Sequence, residues 1–364
     1  MPKITVLLCT YRRPQLLARA LASLAAQHFP ELEVRIFDNA SGDETRSVVD
    51  WFAAHGLAIR YHCQPENLGF RGNFTFATTR PIESEFVHIL NDDDYIFDGF
   101  FQTALAGFDR MPEAICSMAQ VAHVETSGEV TAIPLARWPT GAVGPGKAAL
   151  LMLQLGHPEL TAMLYRSAWF REVGGFDFDG YGNCCDVPFH VLAAAKHAFV
   201  LSPTIGGIYS WHEGQESLLA ESDATSVFAG MFARLDRGSF PNLLIFRQVL
   251  RAIASRHVYA QRHRTRGPGA AREWCGLQAV FELTRRRPAE CGSAWLGYLR
   301  ALGSTLARLS CTPSARASER LRREVCAAAQ RQIAVFALQL AREYVEPCLV
   351  AAGFVGSDKS ICRK

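Results

Sequence analysis

The chain has 364 residues, a hydrophobic fraction of 49%, a charged fraction of 20% and a formal net charge of +3 at pH 7. This composition excludes an intrinsically disordered chain, and the length predicts two domains or one domain with an extension. So small a net charge does not indicate binding to nucleic acid, and we expect no nucleic-acid partner.

The cysteines, eleven in all, run from Cys9 to Cys362 without a CxxC pair or a zinc-type spacing. Their odd number and apolar settings predict reduced thiols in a cytoplasmic protein. The N-terminus lacks the pattern of a signal peptide, and we expect none. We also expect no membrane-spanning helix, since no apolar run reaches the roughly 18 to 20 residues required.

Strand-like and helix-like patterns alternate over the first hundred residues. Residues 4–10 form a continuous apolar run, and Pro14 then begins a stretch with leucines at helical spacing. Further strands are predicted over 33–41, 57–63 and 86–90, with helices between them. This alternation predicts a doubly wound α/β sheet, in which ligands bind outside the carboxyl ends of the strands.

The pattern loosens after residue 115 and becomes helical from roughly residue 225. Before that point we expect a helix near 147–155 and another that begins near Asp186. Helices are predicted over 226–235, 242–261, 273–287 and 320–345, with loops over 264–272 and 310–318. We therefore divide the chain into an α/β domain over 1–220 and an α-helical C-terminal region over 221–364.

Three consecutive aspartates, Asp92 to Asp94, follow the apolar strand at 86–90. Adjacent carboxylates repel each other, which raises their pKa values and destabilises the fold unless a countercharge is present. A divalent cation supplies that charge, and hard oxygen ligands favour Mg²⁺ or Mn²⁺. The alternative is a turn in which the aspartates cap a helix. Because Thr10 and Asp38 also follow strands, we expect both to meet the acidic motif at one edge of the sheet.

Five sequence segments carry a resemblance to a known family: VLLCTYRRP, RIFDNASGD, ENLGFRGN, LNDDDYIFDGF and REVGGFDFDGYGNCCDVPFHVLAA. In order and approximate spacing they resemble the blocks of the family 2 glycosyltransferases, over about residues 3–215. The resemblance implies the GT-A fold, a Rossmann-like mixed sheet flanked by helices, with the C-terminal region as a helical extension. It also implies inverting transfer of a sugar from a nucleotide-sugar donor.

The resemblance implies a nucleotide site at the strand ends, formed by Thr10, Tyr11, Arg13, Asp38, Asn67, Arg71, Asn91 and Asp92. A carboxylate at Asp38 can accept the imide N–H of uracil or thymine, which favours UDP or dTDP donors. The alternative for Asp38 is a turn or cap. Arg71 faces the diphosphate or base, or else lies on a solvent-exposed helix face.

The acidic motif of the family is often Asp-x-Asp-Asp, but here Asn91 holds its first position, so the register stays open. We assign Asp93 to the metal, Asp92 to the ribose or the metal, and Asp94 to a cap or a supporting role. Asn91 is expected to bind the ribose hydroxyls. By resemblance His212 is a second ligand of the cation, with a structural role as its alternative.

The family takes its general base from a Glu-Asp pair, and the matching pair here is Cys185-Asp186. Only Asp186 retains a carboxylate, so it is the predicted base, with a helix N-cap as the alternative. Asp177 and Asp179 remain further candidates, because the intervening glycine-rich loop can shift the alignment.

We therefore expect a metal-dependent hexosyltransferase in the assembly of a surface polysaccharide or glycoconjugate, acting on a saccharide or lipid-linked saccharide acceptor. One alternative, a sugar-nucleotide nucleotidyltransferase, is disfavoured because CTYRRPQLL lacks a glycine-rich loop and a lysine. The other is a non-catalytic module that binds sugar nucleotides.

The arginine-rich segments TRRRP and SARASERLRREV lie beside apolar helix faces in the C-terminal region. They predict either peripheral contact with anionic lipid at the inner face of the cell membrane, or a helical extension that packs on the α/β domain or forms a dimer. Both interpretations stay open.

Overall fold

The computed structural model describes residues 1–212, 215, 224–264, 269–309 and 313–354. Apolar strands and amphipathic helices alternate along its N-terminal half, and the strands join one mixed sheet. The strands are β1 (Ile4–Thr10), β2 (Leu32–Asp38), β3 (Ile59–Cys63), β4 (Phe86–Asn91), β5 (Tyr95–Ile96), β6 (Cys116–Val124), β7 (Val130–Ala132), β8 (Gly141–Val143), β9 (Met163–Arg166) and β10 (Phe199–Ser210).

The sheet has the order β3-β2-β1-β4-β9-β6-β10-β5, with β7 on β6 and β8 on β10. β1 pairs in parallel with β2 and with β4, so that Thr10 lies beside Asp38 and Cys9 beside Asn91. β9 runs antiparallel between β4 and β6, which makes the sheet mixed. The carboxyl ends of β1, β2 and β4 are therefore level at one edge, as the sequence predicted.

Helices cover both faces of the sheet. They are α1 (Pro14–Ala25), α2 (Thr45–Ala54), α3 (Gly69–Thr78), α4 (Phe100–Arg110), α5 (Lys147–Gln154), α6 (Ser167–Val173), α7 (Phe178–Tyr181), α8 (Asp186–Lys196), α9 (Ala224–Arg234), α10 (Leu243–Arg264), α11 (Gly269–Arg286), α12 (Cys291–Leu309), α13 (Pro313–Leu340) and α14 (Glu346–Ala351). In the described parts of the chain, no helix is long and apolar enough to cross a bilayer.

The C-terminal helices share their hydrophobic cores with the sheet. Phe232 of α9 and Val249 of α10 pack in the same core as Leu7 of β1. On the other face, Phe336 of α13 packs in one core with Leu8. The C-terminal region is therefore helical, as expected, and it is packed against both faces of the sheet. The division at residue 220 stays a prediction.

Helix α12 was missed at the sequence level, because its glycines lower helix propensity. A Cβ at Gly297 would lie 2.8 Å from Ala254, so the glycine permits close packing of α12 against α10. The predicted loop over 310–318 is wrong from residue 313 onward, where Pro313 begins α13. Proline suits this first helical position, since its missing N–H would have no partner there.

The shared cores predict that Phe232→Ala destabilises the whole chain. Phe232 is fully buried, whereas Phe281 of α11 is 58% exposed. Removing a buried phenylalanine costs about 3–5 kcal/mol of unfolding free energy, which chemical denaturation measures. Phe281→Ala, the matched control, should change it by about 0.5 kcal/mol or less. A Phe232→Ala variant as stable as the control would show that α9 does not share the core of the sheet.

Candidate active site

The carboxyl ends of β1 and β4 border a cleft with a volume of about 470 Å³. Most of the residues predicted for nucleotide and metal binding line it: Thr10, Tyr11, Arg13, Asn67, Asn91, Asp92 and Asp93. Arg71 and His212 each bond to a residue of this lining, Asn183 and Asp93 respectively. The parallel register of the strands thus brings together side chains that are far apart in sequence.

The Asp92 carboxylate is buried and has two partners from the first strand and the loop after it. Thr10 Oγ1 donates to Asp92 Oδ2 at 2.7 Å, and Arg13 Nη1 lies 3.3 Å from Oδ1. Burial and the neighbouring Asp93 charge raise the pKa of Asp92 to about 6. Its ionised form is therefore costly in this structure, and a further positive charge would favour it.

Asp93 is the point at which the two predicted metal ligands meet. Its Oδ2 atom lies 2.9 Å from His212 Nε2 and 3.1 Å from Arg13 Nη1. Its backbone carbonyl accepts a hydrogen bond from Arg19 Nη2 at 2.6 Å, which fixes the turn between β4 and β5. The carboxylate thus faces the cleft while its backbone is held from behind by α1.

Asp94 has a different environment from its two neighbours. It is fully buried, accepting from Thr161 Oγ1 at 2.6 Å and from the Ser210 backbone N–H at 3.0 Å. Burial, followed by the Asp93 charge, raises its pKa well above the usual value. These bonds join the acidic motif to the end of β10. They fit the supporting role that we assigned to Asp94.

Asp38 lies at the end of β2, but its oxygens already have partners. Ser41 donates to Oδ1 through its hydroxyl at 2.5 Å and its backbone N–H at 3.1 Å, and Tyr61 donates to Oδ2 at 2.5 Å. Within the described residues the cleft is lined by the adjacent Asn39 instead. Asp38 is itself buried and is not part of this lining, so its predicted bond to a pyrimidine base stays a prediction.

Two hydrogen-bonded pairs build the rim of the cleft. Asn39 Nδ2 donates to Asn67 Oδ1 at 2.8 Å, and Arg71 Nε donates to Asn183 Oδ1 at 2.6 Å. The second pair joins α3 to the loop before α8. Arg71 is exposed, so its guanidinium remains accessible from the cleft.

Asp186 is the first residue of α8, and its side chain is 31% exposed. His157 Nδ1 lies 4.0 Å from Asp186 Oδ2. Burial raises the pKa of Asp186, as does the Glu159 charge, while His157 opposes this. The Glu159 charge also raises the pKa of Asp94, so it acts on both Asp186 and the acidic motif.

The other two candidates for the base, Asp177 and Asp179, lie at or within α7. Asp177 caps α7 by accepting from the Gly180 backbone N–H at 2.7 Å, and it forms an ion pair with Arg234 at 3.2 Å. Asp179 is an exposed residue within α7. Asp186 is the aspartate of this segment whose environment disfavours the charged form, as a general base requires.

Several residues of the site were missed at the sequence level. Arg19 bridges the acidic motif and Ser210, and its guanidinium lies 4.7 Å from the Tyr95 ring. Glu159 is held by His123 at 3.0 Å, and His123 in turn accepts from the Trp211 indole at 3.4 Å. The sequence carried no signal for Glu159 or His123, because they lie 36 residues apart and are brought together only by the fold.

The donor set fits a divalent cation. Asp93 supplies a carboxylate and His212 an imidazole, and the costly ionised form of Asp92 shows that this position favours added positive charge. Within the described ranges, no group of three or more His, Cys, Asp and Glu side chains could hold a metal by itself. A cation here would need oxygen ligands from a bound molecule or water.

Comparisons with known proteins agree with this architecture. Residues 5–174 match the family described as Glycosyl transferase family 2. A segment of 106 residues is 34% identical to the GalNAc(5)-diNAcBac-PP-undecaprenol beta-1,3-glucosyltransferase of Campylobacter jejuni, covering 29% of this chain and 34% of that protein. The chain thus spans about a third of the length of this curated relative.

Solved structures of Staphylococcus aureus TarS, residues 1–349, share the fold. The complex with UDP-GlcNAc superposes with a TM-score of 0.61 at 19% identity, over 82% of this chain and 87% of that chain. The complex with UDP gives a TM-score of 0.58 at 18% identity over the same shares. Residues 5–174 thus match glycosyl transferase family 2, on a chain that has the GT-A fold.

Proposed function

We propose that this protein is an inverting glycosyltransferase that moves a sugar from a nucleoside-diphosphate donor to an acceptor hydroxyl. The observation that carries the proposal is the convergence of Asp92, Asp93, Arg13 and His212 at the strand ends, above a cleft of about 470 Å³. A cleft of this size suits a small ligand. The family match favours sugar transfer over nucleotidyl transfer.

The donor is proposed to be UDP- or dTDP-linked, because Asp38 lies at the end of β2 next to the cleft-lining Asn39. TarS, which shares the fold, has been solved with UDP-GlcNAc. Arg13 lines the cleft, and Arg71 bonds to the cleft-lining Asn183. We propose that both guanidinium groups bind diphosphate oxygens, which they can do in bidentate fashion.

Asp93 and His212 would hold a divalent cation, together with diphosphate oxygens. The imidazole favours Mn²⁺ over Mg²⁺, which prefers an all-oxygen shell. When bound, the cation would neutralise the charge that develops on the departing nucleoside diphosphate. Arg13 pairs with both Asp92 and Asp93. A cation that neutralised these carboxylates would weaken the two pairs, and the Arg13 guanidinium would then be drawn toward the diphosphate.

Asp186 is the proposed general base. A general base works best when its pKa is near the working pH, and the pKa of Asp186 is raised in that direction. Asp186 would take the proton of the acceptor hydroxyl. The hydroxyl oxygen then forms a bond to the anomeric carbon as the bond to the diphosphate breaks. One displacement inverts the anomeric centre, so an α-linked donor would give a β-linked product.

The acceptor is proposed to be lipid-linked and reached from the cytoplasmic face of a membrane, in glycoconjugate assembly. The name of the Campylobacter relative includes a PP-undecaprenol acceptor. On this chain, α11 and α12 expose Phe281, Trp295, Leu296 and Leu299, with Phe281 and Trp295 in edge-to-face contact at 6.2 Å. We call these four residues the apolar ridge.

The charges beside the apolar ridge favour an anionic partner. Arg285 and Arg300 are exposed, and neither forms an ion pair within the described parts of the chain. Tryptophan, phenylalanine and leucine flanked by arginine are typical of helices that lie on an anionic membrane surface.

Asp93→Asn should abolish metal-dependent donor cleavage. A metal supplies several kcal/mol of transition-state stabilisation, so we expect a loss of about a hundredfold or more. Release of nucleoside diphosphate from a panel of UDP-, dTDP- and GDP-sugars with Mn²⁺ measures this. Asp98→Asn, an exposed aspartate five positions further on, is the matched control and should retain activity. Donor binding without any cleavage by the wild type would favour a non-catalytic binding module.

Asp186→Asn should lower kcat by about 10² to 10⁴-fold, the usual contribution of a general base. Donor binding should be unchanged, because Asn and Asp have the same shape. The control is Asp179→Asn, which alters an exposed carboxylate of the neighbouring α7. If Asp179→Asn is inactive while Asp186→Asn is active, the base has been assigned to the wrong helix.

The apolar ridge should mediate salt-sensitive binding to anionic vesicles. We expect the wild type to sediment with phosphatidylglycerol vesicles at low salt, less at high salt, and not with phosphatidylcholine. Phe281→Ser with Trp295→Ser should remove this binding, whereas Val335→Ser, at a position 69% exposed on α13, should not. If the wild type self-associates and does not bind vesicles, and the double variant loses this self-association, the apolar ridge is a contact between copies of this chain.

A further inference from the structure

Two hydrogen bonds in series link the buried Tyr165 and His190 to His157, and His157 faces Asp186. Tyr165 Oη lies 2.7 Å from His190 Nε2, and His190 Nδ1 lies 3.2 Å from His157 Nε2. His157 Nδ1 then faces Asp186 Oδ2 at 4.0 Å. Tyr165 and His190 are fully buried, so water does not compete for these bonds.

The burial of His190 fixes its charge and therefore its hydrogen bonding. Burial lowers the pKa of His190 well below the usual value, so the ring is neutral and carries one N–H. The Tyr165 hydroxyl can donate to His190 Nε2 at 2.7 Å or to Met163 Sδ at 3.2 Å. A thioether is the weaker acceptor, which favours donation to Nε2 with the His190 proton on Nδ1. In the opposite direction the hydroxyl donates to Met163 Sδ and accepts from His190 Nε2–H.

The same logic fixes the proton of His157. Since His190 Nδ1–H donates to His157 Nε2, the proton of a neutral His157 lies on Nδ1, the atom that faces Asp186. If every bond were reversed, a nitrogen lone pair of His157 would face the Asp186 carboxylate, and the two would repel each other. The ionised carboxylate and the tyrosine hydroxyl thus favour the same direction along the chain.

We propose that His157 is a positioning residue for Asp186, held by Tyr165 and His190 in the tautomer whose Nδ1–H points at the carboxylate. This inference rests on the proposed role of Asp186 as the base. The Nδ1–H would keep the carboxylate ionised and aimed before reaction. It would also stabilise the orientation in which Asp186 receives the acceptor proton.

Of the other titratable groups near Asp186, Glu159 acts against this stabilisation, whereas Cys185 and Tyr165 are neutral. Glu159 adds a like charge, and it is held in place by His123. Cys185 precedes Asp186 and is buried, with a pKa raised to about 12, so it is a neutral thiol at physiological pH. Tyr165 is likewise neutral, since burial raises its pKa. His157 is therefore the side chain among these that favours the charged form of Asp186, which the backbone N–H groups of Asp186 and Val187 also favour.

Histidine ¹⁵N NMR of the ligand-free protein tests the tautomers directly. We expect His157 and His190 to be protonated at Nδ1, and His123 at Nε2, because the Trp211 indole N–H occupies its Nδ1. Tyr165→Phe removes the first donor, so His157 should become a mixture of tautomers while His123 stays unchanged. An Nε2–H tautomer of His157 in the wild type, or no change in Tyr165→Phe, would overturn the inference.

The pH profile of donor cleavage tests whether His157 keeps Asp186 ionised. The substrate is the nucleotide-sugar of the panel that the wild type hydrolyses fastest. Without His157 the pKa of Asp186 should rise, so the acid limb of kcat/KM should move to higher pH. In His157→Ala kcat should fall about tenfold, a typical effect of one hydrogen bond to a charged group. His157→Gln should restore part of both, through its amide donor.

Controls separate this inference from the function on which it rests. His55→Gln, at an exposed histidine that directly follows α2, should leave the profile unchanged. If folded His157→Ala keeps both the acid limb of the pH profile and kcat while Asp186→Asn is inactive, the role of His157 is overturned and the assignment of Asp186 as the base is not. A fully active Asp186→Asn would remove the base assignment and the inference with it.

Discussion

The site depends on the repulsion between two adjacent buried carboxylates, Asp92 and Asp93. The register of β1 and β4 places them beside Thr10 and Arg13, and the end of β10 adds His212. These partners offset only part of the cost, as the raised pKa of Asp92 indicates. A site built this way gains free energy when a cation and an anionic ligand arrive together. This supports the proposed binding of a metal–diphosphate pair.

The rest of the fold holds this arrangement in place. Asp94 uses its buried carboxylate to join the acidic motif to β10, and Arg19 holds the Asp93 backbone from α1. The C-terminal helices complete both cores of the sheet, so they are part of the scaffold of the catalytic domain. At the start of α8, His157 faces Asp186 and is itself hydrogen-bonded to the buried His190. Each charged group of the site is thus held by at least one neighbour.

The sequence predicted the sheet edge well, because apolar runs that end in polar residues are local signals. It also located α8 and its first residue, Asp186. It did not predict that Ser41 and Tyr61 would occupy the Asp38 carboxylate, since that contact depends on how β2 and β3 pair. Nor did it find His157, whose partners lie more than 25 residues away along the chain. Helix α12 was missed because its glycines lower its helix propensity, whereas the close packing against α10 that they permit cannot be read from the sequence.

The measurement that tests the central claim most directly is Mn²⁺ binding, followed by electron paramagnetic resonance with and without UDP. Two protein ligands hold a cation weakly, so UDP should tighten Mn²⁺ binding, and Mn²⁺ should tighten UDP binding by the same factor. Mn²⁺ and UDP that bind without affecting each other would contradict the account, because the carboxylates, the cation and the diphosphate would then not share one site.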